Sequence, residues 1–158
     1  SWHLKSLKKK SRPLPMKPLN SEEFWQFACH LYSEDGMQAK LLGYQNQQGK
    51  NVNLCLLLYY LDSLELAVTL SQLSELESCI AEFDQQALKP LRATRAYLKT
   101  IQTEISDYPT IRKELLSAEI KLEKQQQQLL IDTANTMIFT QHTNTKNIRL
   151  YVGSELAS

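Results

Sequence analysis

Arg92, Arg95 and Lys99 follow one another at i, i+3 and i+7, with Lys89 just ahead of them. On a helix that spacing keeps the cations on one side, where they can hold an anion or answer the carboxylates of a neighbouring helix. Outside residues 1–19 the chain carries 12 basic and 17 acidic groups, and this excess of acid favours the internal pairing. A second set of interest is Trp25 and Tyr32. Phe24 and Phe27 on the same segment suffice to fill a core, which leaves Trp25 and Tyr32 for the flank, where amphipathic rings anchor partner surfaces.

Other chemistry finds little support. His3, His30 and His142 fall in separate segments. Cys29 and His30 are adjacent, so on a helix they point about 100° apart and do not share one zinc ion. A Gly-x-Ser-x-Gly elbow is absent, and four glycines are too few to build a phosphate loop. The carboxylate pairs Glu75–Glu77 and Glu119–Glu123 read as solvated helix faces. Asn51 and Asn53 read as a local helix cap. The sequence therefore names no catalytic residue, no metal ligand and no cofactor.

The elements that would carry these residues are helical. Five prolines and four glycines in 158 residues supply too few turns for a β or doubly wound fold. Asn20 or Ser21 caps a first helix, on which Phe24, Phe27, Ala28 and Leu31 recur at helical spacing with Trp25, Cys29 and Tyr32 beside them. Met37, Leu41 and Tyr44 mark a second helix. From Val52 to Leu61 only Asn53 is polar, so the third helix is apolar on all sides and belongs at the centre. Thr69 with Gln72 forms a capping box ahead of a fourth helix. Pro90 kinks the chain or starts a fifth, which bears the basic stripe. The sixth and longest helix follows Asp107-Tyr108-Pro109. It repeats Ile111, Leu115, Ala118, Leu122, Gln125, Leu129 and Asp132 as a heptad seam, with Gln125–Gln128 read as solvated surface.

The expected architecture is all-α: a single compact domain over residues 20–135, five or six helices around the apolar third. Residues 1–19 form a basic flexible arm with three prolines, six cations and no acid. That composition is shared with transit peptides, although a native start at Met16 is the blander expectation. Residues 136–158 read as a polar tail in which Ile148, Leu150 and Val152 alternate like a short strand. The longest apolar run, Leu54 to Leu61, falls well short of the roughly 20 residues that span a bilayer. Cys29, Cys55 and Cys79 lie in helical patterns among apolar neighbours, as buried free thiols of a cytoplasmic protein would.

Three stretches carry a resemblance. They are Phe24-Trp25 through Leu31-Tyr32 to Gly36, then Gly49-Lys50-Asn51-Val52-Asn53-Leu54, then Lys89-Pro90-Leu91-Arg92 through Arg95 to Leu98-Lys99. Together they resemble a family of small uncharacterised bacterial proteins, a domain of unknown function, over roughly residues 20–130. The resemblance implies a helical bacterial cytoplasmic protein and no particular activity. Three functional expectations follow from the residues. The first is a non-enzymatic protein-interaction or regulatory module with a protein partner, using Trp25 and Tyr32, the basic stripe, or both. The second is binding of RNA or another polyanion through the arm and Arg92, Arg95 and Lys99. The third is a small-ligand or enzymatic pocket between helices.

Overall fold

The computed structural model describes residues 17–153, and most of these are helical. Helix α1 spans Ser21–Tyr32, α2 Met37–Gln48, α3 Val52–Ser63, α4 Leu70–Phe83, α5 Lys89–Thr100, α6 Tyr108–Ala134 and α7 Ile148–Val152. Two-residue strands, β1 (Leu66–Ala67) and β2 (Thr140–Gln141), pair antiparallel with Leu66 opposite Gln141. The fold class is all-α, as the sequence implied.

Local chemistry sets the helix starts. Asn20, Asn51 and Thr69 each accept a hydrogen bond from a backbone N–H in the first turn of α1, α3 and α4, and Gln72 closes the capping box on Thr69. Gly36 and Gly49 bracket α2 with φ of 81° and 65°, a backbone region that favours residues without Cβ. A helix does begin beside Pro90, at Lys89. A π-helical segment, Asp84–Leu88, leads α4 into α5, and Pro90, which has no N–H to donate, falls in the first turn of α5.

Helix α3 is the axis of the core. It buries every residue from Asn53 to Leu61 except the half-buried Tyr59, and packs on α1, α2, α6, α7 and β1. Phe24 and Phe27 of α1 lie against the Tyr60 ring, with centroids 5.4 and 5.1 Å away. Helices α5 and α6 lie against one another, and α6 also packs on α4 and α1.

Three expectations change. Residues 136–153 are not a tail: Phe139, Ile148, Tyr151 and Val152 are buried in the core. The segment expected as a strand is helix α7, and the strand lies earlier, at Thr140–Gln141. Asn147 fastens this segment by accepting from Val68 N–H (2.9 Å) and donating to the Leu66 carbonyl (2.8 Å). Second, Cys29 is exposed and Cys79 half-buried, so Cys55 is the one fully buried thiol, its pKa pushed up to about 12 by burial. Third, the arm ends inside the fold. The Leu19 backbone donates to Asn135 Oδ1 (2.8 Å) and accepts from Asn135 Nδ2 (2.9 Å), while residues 1–16 lie outside the described residues.

Candidate functional site

The basic stripe meets its carboxylates on α6. Arg95 makes two hydrogen bonds to Glu119, Nε to Oε2 at 2.7 Å and Nη2 to Oε1 at 3.0 Å. This bidentate geometry is the strong form of the contact, and it accounts for a carboxylate only 6% exposed. Arg92 spreads over three acids: Glu123 at 3.3 Å, Glu119 at 3.7 Å and Asp84 at 3.9 Å. Lys89 reaches Asp84 at 3.7 Å and Gln85 Oε1 at 3.1 Å. Lys99 is exposed and outside this cluster. The bonds from Glu119 raise the Arg95 pKa above its ordinary value. Burial raises the Glu123 carboxyl above the usual carboxylate range, against the opposing pull of Arg92.

Glu119 and Glu123 were expected on a solvated face, and Gln125–Gln128 likewise. Gln125 is exposed, but Gln126 and Gln127 are 0% and 2% exposed. They are buried because α3 brings amides to meet them. Gln127 Nε2 donates to Asn53 Oδ1 (3.0 Å), and Asn53 Nδ2 donates to Gln126 Oε1 (2.9 Å). Gln126 Nε2 then reaches Asp84 Oδ1 (3.3 Å). Asn51, besides capping α3, donates to Asp84 Oδ1 and Gln126 Oε1, each at 3.2 Å. Such a network is stable only when its members are satisfied. Within the network, no protein group among the described residues donates to the buried Gln127 Oε1.

Trp25 and Tyr32 are half-buried, and burial raises the Tyr32 pKa. The ammonium of Lys124 lies 4.8 Å from the Trp25 ring centre. The two rings and the two arginines open onto the same space. A cavity of about 420 Å³ lies between α1, α2, α3, α5 and α6. Its apolar wall is Trp25, Ala28, Tyr32, Leu42, Val52 and Leu56; its polar wall is Arg92, Arg95, Glu119, Glu123, Asn53 and Gln127. Cys29 and Gln45 complete the lining.

The model of a family described as "Protein of unknown function (DUF2390)" matches residues 23–130. The chain belongs to this family. The matched region includes every residue of the cavity lining and of the amide network, and it ends before β2 and α7. No curated protein and no solved structure matches the chain.

The sequence singles out Trp25, Tyr32, Arg92 and Arg95, and the fold brings these four together. Lys89 borders a smaller cavity of about 210 Å³ beside Asp84 and Lys50, and Lys99 joins neither. The residues it missed are Glu119, Glu123, Gln126, Gln127 and Asn53 as a buried polar set. One signal was available: Asn53 is the single polar residue in the run that forms the centre of the core, and a buried amide needs partners.

Proposed function

We propose that this chain is a small-molecule-binding regulatory module without a catalytic step of its own, and that the cavity beside Trp25 and Arg92 is its binding site. One observation carries the reading: two residue groups distant in sequence, the α1 rings and the α5 guanidiniums, open onto one cavity. The volume lies within the range of about 300–1,000 Å³ typical of ligand pockets, and the mix of apolar wall and few polar groups is what such pockets have.

The polar groups argue for holding a ligand over transforming one. Arginine is committed to glutamate and amide to amide, so these groups fix positions and leave no nucleophile beside an oriented base. A protein partner that inserts a side chain into the cavity is the neighbouring reading. Polyanion binding by Arg92 and Arg95 is disfavoured, because a phosphate would compete with Glu119 and Glu123 for the same guanidiniums. Free thiols at Cys29, Cys55 and Cys79 suit a reducing compartment such as the cytoplasm, and no helix among the described residues is long and apolar enough to cross a membrane.

Ligand binding to the folded state raises Tm by mass action. A thermal-shift screen of the purified chain against a panel of polar metabolites is expected to yield compounds that raise Tm. Cys29→Phe, which crowds the cavity from an exposed position, is expected to abolish those shifts while the unliganded Tm stays near the parent's. A panel with no stabilising compound, or shifts that persist in Cys29→Phe, would overturn the reading.

A further inference from the structure

Four cations and three carboxylates line the two cavities of about 420 and 210 Å³. Three of the cations are matched. Arg95 holds Glu119, Arg92 lies among Glu123, Glu119 and Asp84, and Lys89 reaches Asp84. Lys50 is the fourth. Its ammonium makes no ion pair and no hydrogen bond among the described residues, and its contact is with the face of the Tyr151 ring, 4.6 Å from the centre. An ammonium has three N–H donors, so one ring leaves donors over.

The carboxylates nearby are not placed to answer it. Asp84 shares the wall of the smaller cavity with Lys50, but it is held elsewhere. Its Oδ1 accepts from Asn51 Nδ2 and Gln126 Nε2, and its Oδ2 faces Lys89 at 3.7 Å. Turning it toward Lys50 would break both amide bonds. Glu77 acts electrostatically on Tyr151, yet it is exposed, where water and salt screen it, and it is not part of the cavity wall. Lys50 is itself half-buried. An anion gains more from such a cation than from Arg92 or Arg95, which a carboxylate would first have to release.

The two cavities have Gln45, Val52 and Arg92 as common wall, so a molecule seated in the larger can extend a group into the smaller. In the larger, an apolar body lies against Trp25, Leu42, Val52 and Leu56. In the smaller, one negative charge matches the one unanswered cation, whereas a dianion would set its second charge beside Asp84. We infer, resting on the cavity reading above, that the ligand is an amphipathic monoanion, whose compact apolar body fills the larger cavity and whose carboxylate pairs with Lys50 in the smaller.

The test uses three probes with one phenylpropyl body on the full chain. 4-Phenylbutyrate carries the carboxylate, 4-phenylbutyramide is its uncharged isostere, and 4-phenylbutylamine carries the opposite charge. Two readouts by peptide mass spectrometry report the two cavities. Occupancy of the larger slows alkylation of the exposed Cys29 by N-ethylmaleimide, with the buried Cys55 as a control for unfolding. Pairing in the smaller slows acetylation of Lys50, with the exposed Lys99 as reference. 4-Phenylbutyrate at about 10 mM is expected to slow both reactions roughly threefold, since molecules of this size bind in the millimolar range. The amide and the amine are expected to leave Lys50 acetylation unchanged and to protect Cys29 less. Equal protection of Cys29 by all three, with Lys50 unaffected, would overturn the carboxylate assignment and leave the cavity reading standing. Protection of neither residue by any probe would overturn both. Lys50→Gln is expected to lower the protection of Cys29 by 4-phenylbutyrate to that given by the amide, and Lys50→Arg to restore it. Undiminished protection in a Lys50→Gln variant that is folded by circular dichroism would refute the role of Lys50. Lys50 acetylation on the parent chain decides the same question if that variant does not fold.

Discussion

Asp62 shows how burial at a single residue becomes a property of the whole chain. Its carboxylate closes α3 and accepts the backbone N–H of Asn147 at 2.9 Å, ahead of α7. Burial pushes its pKa from 3.8 up to about 6, and the hydrogen bonds from Asn147 offset only part of that rise. The folded state therefore holds the proton more tightly than the unfolded state. Stability from this group is complete below the unfolded value and is lost as pH rises through the folded one. Asp62→Asn keeps an acceptor for Asn147 and removes the charge. Relative to the parent, the variant is expected to gain about 1–2 kcal/mol between roughly pH 4 and 7, a figure discounted because the group is half solvated. Urea denaturation of both proteins at the two ends of that window measures it. Curves that stay parallel would mean that Asp62 titrates alike in both states.

At the scale of elements, helix α3 does two jobs, and Asn51 joins them. As a cap, its Oδ1 accepts from Leu54 N–H; as a donor, its Nδ2 reaches Asp84 and Gln126; and its own N–H donates to the Tyr151 hydroxyl at 2.9 Å. The N-terminus of the core helix, the π-helical segment and α6 are tied through one side chain. Asn51→Ala is expected to cost about 2 kcal/mol, about 1 for the cap and the rest for the lost side-chain donors. Asn51→Asp keeps the cap acceptor but sets a second carboxylate beside Asp84, so it is expected to rescue nothing. Chemical denaturation midpoints of the two variants decide this. An Asp variant as stable as the parent would show that the amide donors contribute nothing. The sixth helix teaches a related lesson. Its heptad pattern locates Leu115, Leu122 and Leu129, all half-buried, yet the deepest face runs through Glu119, Gln126, Gln127, Leu130 and Ile131.

For the molecule as a whole, residues 139–153 are a structural part. Phe139, Ile148, Tyr151 and Val152 enter the core, and Asn147 pairs with two backbone groups next to β1. Burial of each such side chain contributes about 1.5–3 kcal/mol, so together they approach the roughly 5–15 kcal/mol that holds a domain folded. A chain ending at Ile138 is expected to lose its cooperative thermal transition, as followed by circular dichroism at 222 nm. A sharp transition near that of the parent would reduce β2 and α7 to decoration. The family match ends at residue 130, so it covers the cavity lining and omits β2 and α7.

What the sequence determined by itself is what depends on neighbours along the chain. The capping box at Thr69, caps narrowed to Asn20 or Ser21 and to Asn51 or Asn53, the helical period of α1 and α4, and the centrality of the apolar α3 all follow from residues a few positions apart. Trp25, Tyr32, Arg92 and Arg95 could be singled out by type and spacing, but nothing local says that they share a cavity. Only the tertiary structure decided whether a polar residue is buried, since that depends on the partner another helix delivers. Glu119 is buried because Arg95 meets it, and Gln126 and Gln127 because Asn51, Asn53 and Asp84 do. The tail was misread for the same reason: five residues of α7 carry too little periodicity to declare a helix, and the core surface against which they fold is built by residues some 80 to 100 positions earlier.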